Sequence, residues 1–451
     1  MFGLLALLVI VVLGAGAVLA IGEGRKYLLY AYVTMSSCIY LIHGYFHTTN
    51  YLGIGKEWSF LDVMLLCLLV FAWPTSNPAP YTKKADWIDI PMTIIILMVI
   101  LGFVVGFLRS ETIGVLNYSR RFLFVPIYFV AVKIFVSAKS VDNFFKFIKW
   151  FIIFFFIIQI LLSTGMYTPP LPESVQERLG GAYTSMIRVA GVITESLYLF
   201  GVAVSLSALL YRRPRAIFNW IILSLSLIGA ILSQTRGIYL SVGIIFLGAF
   251  ALLRGRAKIV ILIVLSMLVI YVLMVVMHIP LLYRFTEGHN AASESPWDAY
   301  WHGWRGQEYG VCLKMFMKEP QWFLTGRGFG AMQPSSFSNT GYVNFYHNEY
   351  LKTLNSIGFV GLVSYLILLV GCIFYNKKYA HVSDIGFLLS PGRLIALSVI
   401  PASIFGGYTW SPGTGPLILC FLAIARNGDI IADRVYGSEA EEINDIYWDK
   451  A

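Results

Sequence analysis

The sequence predicts an all-α, polytopic membrane protein with 12–13 transmembrane helices and one long extracytoplasmic loop. Hydrophobic residues make up 58% of the 451 and charged residues only 13%, whereas soluble domains average about 45–50% apolar and about 25% charged. The apolar residues gather in continuous runs, and a transmembrane helix needs roughly 20 of them. The runs do not alternate polar with apolar positions, which disfavours a β-barrel. An ordinary soluble enzyme and a disordered chain are both excluded by this composition.

Taken in order, the runs are Phe2–Ile21, Tyr27–Ile42, Phe60–Trp73, Ile90–Leu108, Phe122–Val136, Phe144–Leu162 and Gly191–Tyr211, then Ile217–Leu232, Ile238–Leu253, Ile259–Met277, Ile357–Phe374, Leu394–Gly407 and Pro416–Ala425. No Lys or Arg precedes the first run, so it reads as a retained helix rather than a signal peptide. The chain then divides into an N-terminal helix bundle (1–277), a large extracytoplasmic loop with short helices (278–356), C-terminal membrane helices (357–427) and an acidic cytoplasmic tail (428–451).

The net charge is +9. In a soluble domain this would raise nucleic acid as a partner. Here no nucleic-acid partner is expected, because the basic residues cluster at helix ends as topology signals. Arg212, Arg213 and Arg215 share one short loop, Arg254, Arg256 and Lys258 another, and Lys377 and Lys378 a third. These loops alternate with others and can all be cytoplasmic. The five cysteines form no CxxC pair, which argues against a disulfide framework or a zinc site.

The loops assigned to the outside still carry Arg109, Arg120, Arg121, Arg178, Arg188, Arg236, Arg284, Arg305 and Arg327. Arginine there opposes the topology rule, so a compensating use is expected, and the guanidinium fork suits phosphate; the plainer alternative pairs some of them with Glu173, Glu177, Glu287 or Glu308. Arg236 stands between two apolar runs in Ser233-Gln-Thr-Arg-Gly237. Its charge must sit at the membrane boundary, where a charge marks function by default. The competing reading is an interfacial arginine that snorkels to water. Arg188 precedes the Gly191 run in the same way. His347 closes the long loop, and Leu351, Leu354 and Gly358 follow it at helical spacing. At a helix start the dipole disfavours the imidazolium, which keeps the ring able to accept a proton near neutral pH. The plainer alternative is a histidine that caps the helix or binds water.

These motifs resemble those of bacterial O-antigen ligases and O-antigen polymerases. The Ser233-Gln-Thr-Arg-Gly237 turn is similar to the family's Ser-x-(Ser/Thr)-Arg-Gly element. Arg188-Val-Ala-Gly191 resembles its Arg-x-x-Gly. Gly326-Arg-Gly-Phe-Gly330 followed by His347-Asn-Glu-Tyr-Leu351 resembles its Gly-x-Gly turn and His-Asn pair. Thr194-Glu-Ser196 departs from the Asn-Pro-Asn often found there, which puts that side of the site in doubt. The resemblance covers about residues 185–365.

It implies a GT-C type membrane glycosyltransferase of the bacterial inner membrane with its active site facing the periplasm. The donor would be a glycan on polyprenyl (undecaprenyl) diphosphate, and the acceptor a glycan or lipid A–core. Arg188 and Arg236 would hold the diphosphate, and His347 would assist the acceptor hydroxyl. Arg305, Arg327, Arg121, Asn348, Gly237 and Tyr350 are carried as further diphosphate- or glycan-binding residues. Elementary chemistry fits this assignment. A diphosphate leaves without protonation, provided its growing charge is stabilised by fixed donors, and a histidine can take the acceptor proton. No DxD and no HExxH occurs, and His289, Asp298 and His302 match no standard ligand spacing. No metal and no cofactor is expected, and single displacement would invert the anomeric centre. Ligase is favoured over repeat-unit polymerase. A transporter of lipid-linked anions is the reading from another class, but internal repeats and mid-membrane helix breaks are not evident in the sequence.

Overall fold

The computed structural model describes residues 25–37, 60–72, 86–109, 112–163, 197–232, 236–252, 304–331, 333–334, 342–343, 348–375, 379, 382–404, 409–411 and 413–436. Within these the regular secondary structure is helical apart from a two-residue antiparallel ladder, β1 (Gln333–Pro334) with β2 (Tyr342–Val343). The helices are α1 (Arg25–Ser37), α2 (Phe60–Ala72), α3 (Asp89–Arg109), α4 (Thr112–Leu123), α5 (Ile127–Ile134), α6 (Ala138–Ser163) and α7 (Leu197–Leu210). They continue as α8 (Ala216–Leu232), α9 (Arg236–Leu252), α10 (Trp304–Lys318), α11 (Glu349–Phe374), α12 (Ser383–Ala402), α13 (Gly415–Arg426) and α14 (Gly428–Tyr436). Among the described residues four helices are long and apolar enough to cross a membrane. They are Asp89–Arg109, Ala138–Leu161, Glu349–Phe374 and Asp384–Ala402, and the bent pair α13–α14 makes a fifth if counted as one span. The chain is thus an all-α polytopic membrane protein, as its composition predicted.

Apolar pattern decides where each helix sits. Every residue of α7 and of α13 is buried, as expected of helices that are hydrophobic all round. By contrast α3 leaves Ile90, Leu97, Ile100, Val104, Phe107 and Leu108 exposed, and α6 leaves Trp150, Phe154, Ile157 and Ile160 exposed. Apolar faces of this extent suit lipid rather than water. One expected span is not continuous. The run Phe122–Val136 divides into α4 and α5, with the turn 124–126 between them. Pro126 has no N–H to donate and its ring clashes with the preceding turn, so the helix restarts there.

The two ends of the bundle are defined by contacts. At one, Asp89 of α3 pairs with Arg426 of α13 at 2.7 Å and accepts a bond from Tyr128, and Tyr375, just past α11, donates to Asp86. Arg213 pairs with Asp384 at 2.8 Å, which brings the Arg212–Arg215 loop to the start of α12. At the other end Arg109 closes α3. Here α11 begins at Glu349, ahead of the boundary read at 356, because Asn348 caps it. The first residues of the 428–451 segment form α14, with Ile430, Ile431 and Ala432 buried.

A glycine-rich loop holds the Arg109 end together. Inside α11 Gly358 has φ 72° and ψ −177° and breaks the helix. Phe359 would otherwise donate to Asn355 four residues back. Instead its N–H donates to the Phe323 carbonyl at 2.8 Å, and the vacated Asn355 carbonyl accepts from Arg327 N–H at 2.7 Å. The same loop donates from Phe329 N–H to the Gly102 carbonyl of α3 at 3.1 Å, and the Phe329 ring is buried against Phe103 and Phe122.

Gly328 has φ 83°, and a Cβ there would lie 2.5 Å from the Gly106 nitrogen. Left-handed backbone costs a non-glycine residue about 1–3 kcal/mol, before the clash is counted. Gly328→Ala is therefore expected to lower the thermal unfolding midpoint of the purified protein. Gly243→Ala, in open space on α9, should leave the midpoint level or raise it. Equal midpoints for the two variants would show that the loop is not docked in this way.

Candidate functional site

The residues around the start of α11 form the polar centre of the Arg109 end. Asn348 is the N-cap, and its Oδ1 accepts from Leu351 N–H at 3.0 Å. Its Nδ2 donates to Tyr309 Oη of α10 and to the Ile404 carbonyl beyond α12, the latter at 3.1 Å. Both amide hydrogens are thus engaged, and Asn348, expected to bind glycan, serves to fix the helix start between two neighbours. Leu351 and Leu354 pack on Cys312 and Phe316 of α10. Tyr350 donates its hydroxyl to the Ile400 carbonyl of α12.

Glu349 is fully buried. Its carboxylate accepts from Ser403 Oγ at 2.8 Å and from Trp410 N–H at 2.6 Å. Trp410 Nε1 donates to Thr353 Oγ1 at 2.7 Å, and Tyr365 Oη meets Thr409 Oγ1 at 2.7 Å. A buried carboxylate is tolerated when hydrogen-bonded, and the N-terminal end of a helix favours negative charge. Sequence reasoning passed over Glu349, Ser403 and Trp410. A charged residue at the first position of a long apolar helix was the available signal for Glu349; nothing in the spacing pointed to its partners.

The arginines differ in what holds them. Glu319 accepts from Arg109 at 2.8 Å and from Arg327 at 3.3 Å, so two guanidiniums share one carboxylate. Arg327 is buried and also approaches Met315 Sδ, and Arg109 lies over the Trp322 ring at 4.7 Å. The hydrogen bond from Arg109, with the charge of Arg327 behind it, holds the Glu319 carboxyl below its ordinary value of 4.5. Arg121 is half-buried and sits 5.7 Å from the Tyr118 ring. Arg305 falls in the first turn of α10, and Arg236 is the first residue of α9. Gly237 is buried, and its carbonyl accepts from Ser241 Oγ at 2.9 Å. Arg188 and His347 lie outside the described residues.

The start of α9 and the start of α11 share one end of the bundle. Ser241, on the second turn of α9, lines a small cavity with Ser398, Val399 and Ala402 of α12 and with Thr414. Ser403, next along, is bonded to Glu349. The backbone at Arg236 and the Asn348–Glu349 pair therefore lie toward the same surface, together with Arg109, Arg121 and Arg327. Among the described residues no group of three or more His, Cys, Asp and Glu side chains is placed to hold a metal ion. The chemistry this surface suits is anion binding by fixed cations.

The O-antigen ligase family matches residues 221–366. This stretch, about a third of the chain, is similar to that family, the one its motifs resemble. It includes the Ser233–Gly237 turn, the glycine-rich loop and the His347–Asn348 pair. No curated protein matches the chain significantly.

Two outcomes test the site's construction. Glu319 contributes stability fully above its ordinary value of 4.5, and this is lost as pH falls through its lower folded value. The midpoint difference between wild type and Glu319→Gln should therefore be largest at neutral pH and should shrink on acidification below 4.5. A difference that is constant with pH would remove the ion-pair account. Glu349→Gln puts an N–H₂ group against a donor, which costs about 1–3 kcal/mol for each group left unsatisfied. It should lower the midpoint at neutral pH, and an unchanged midpoint would count against the Ser403–Trp410 clamp.

Proposed function

We propose that the protein transfers a glycan en bloc from polyprenyl diphosphate to lipid A–core, at the periplasmic face of the bacterial inner membrane. Arg188 and Arg236 bind the diphosphate and stabilise the charge that grows on it as the glycosidic bond breaks. His347 takes the proton from the attacking hydroxyl. The route needs no metal and is a single displacement, so the anomeric centre inverts. The observation that carries this reading is the family match over 221–366, which includes both Arg236 and His347. The shared end of α9 and α11 supports it, since donors that act on one diphosphate must converge. Transfer to the next repeat unit, the polymerase activity, differs only in the acceptor.

Purified protein reconstituted with a polyprenyl-diphosphate oligosaccharide separates the outcomes. Given lipid A–core and a second donor unit, the product expected is the lipid-core conjugate with inverted configuration. Chain growth on the carrier would mean polymerase, and flipping without bond formation would mean transport. Loss of a preorganised donor costs about 2.7–4 kcal/mol of barrier. Arg236→Ala is accordingly expected to slow transfer by about 10²–10³-fold, and His347→Ala, which removes the general base, by about 10²–10⁴-fold. Near-wild-type turnover in both would remove these residues from the mechanism.

A further inference from the structure

Lys352 lies one turn into α11 and has no place in the reading above. It is 7% exposed. Among the described residues no hydrogen bond or ion pair reaches its Nζ, and its charged neighbours are Arg121 and Glu349. No ion pair joins Lys352 to Glu349, whose carboxylate oxygens accept from Ser403 and Trp410. One turn further, Asn355 is 4% exposed, and its Oδ1 is buried without a partner.

The two side chains leave the helix in one sector. On one flank Leu351 and Leu354 pack on α10. On the other, Ser356 meets Gly102 of α3. With 3.6 residues per turn, Lys352 and Asn355 fall between these flanks, on the side where the glycine-rich loop is bonded to Asn355. An ammonium buried among apolar helices without an anion is unfavourable, and a charge at this depth usually has a use. The Glu319 carboxylate is shared by Arg109 and Arg327.

We propose that Lys352, with Asn355 beside it, forms a phosphate-binding site, and that the ligand supplies a counter-charge that no described side chain brings into contact with the ammonium. Lysine binds phosphate as a point charge, and the Asn355 amide can turn either its oxygen or its N–H₂ group to the ligand. That the phosphate arrives on a lipid carrier rests on the glycan-transfer reading; that an anion binds at Lys352 does not.

The test uses the full-length protein in detergent, as wild type and as Lys352→Met, which keeps the length of the side chain and removes its charge. Thermal midpoints are measured alone and with undecaprenyl diphosphate, undecaprenol or inorganic pyrophosphate. The expected result is that ligand-free K352M is at least as stable as wild type. Undecaprenyl diphosphate, but not undecaprenol, should raise the wild-type midpoint, and K352M should bind it at least tenfold more weakly. A ligand-free variant that melts earlier, or does not accumulate in membranes, would make the charge structural and overturn the inference. Equal carrier binding by both proteins would overturn it while leaving the carrier reading in place. A wild type that responds to pyrophosphate through Lys352 but not to the carrier would sustain the site and remove the carrier. No response to either would remove both.

Discussion

A helix that breaks among apolar helices must have its freed backbone groups satisfied by protein, because hydrocarbon offers neither donors nor acceptors. In this chain the break at Gly358 meets that requirement through one loop. Phe323 and Leu324 accept the two N–H groups after the break, and Arg327 donates to the carbonyl before it. The docking has consequences on three sides. It holds α10 against the first turns of α11, presses Phe329 between α3 and α4, and places the Arg327 guanidinium beside Arg109. Three glycines with positive φ, Gly326, Gly328 and Gly358, make the approach possible, since a Cβ on any of them would meet backbone atoms at 2.6 Å or less.

The two ends of the bundle handle charge differently. At the Asp89 end the buried guanidinium of Arg426 faces Asp89 and bonds to Asn427, and Asn427 in turn donates to the carbonyls of Val132 and Phe135. That network ties α3, α5 and α13 together. Among the described residues at the Arg109 end, Arg109, Arg121, Arg327 and Lys352 stand against Glu319 and Glu349, and Glu349 is turned inward to the Ser403–Trp410 segment. Buried ion pairs contribute little to stability on average, but the contrast bears on use. The paired network fits a fastening between helices, and the surplus of cations fits a surface that receives an anion.

Much of this was legible in the sequence. Among the described residues the apolar runs pointed to the spans Asp89–Arg109, Ala138–Leu161 and Glu349–Phe374 and to the second half of Asp384–Ala402, and the spacing of Leu351 and Leu354 after the His-Asn pair marked the start of α11. Pro126 was visible and should have divided the run around it. The glycine-rich loop was recognisable as a motif, but its position was not, because docking depends on hydrogen bonds between segments far apart in the chain. Arg327 shows the limit most clearly. Its residue type suggested an anion site, yet its partner Glu319 lies eight residues earlier, at the end of a different helix, and no periodicity connects the two. Glu349 was hidden for the opposite reason: its partners Ser403 and Trp410 come from the far side of a spanning helix.

The surroundings of the cations narrow what could meet them. Leu108 and Phe107 of α3, Leu313 and Met317 of α10, and Leu324 and Phe359 around the helix break are all exposed. They flank Arg109, Arg327 and the turns of α11 that carry Lys352. A free phosphate would use the cations and gain nothing from this apolar rim. A purely apolar lipid would use the rim and make nothing of the charges. A molecule with an anionic head and a long hydrocarbon tail satisfies both, because its head can reach the helix ends while its tail stays against the apolar faces. The juxtaposition of fixed charge and exposed apolar surface on the same helices supports the amphiphilic carrier proposed above.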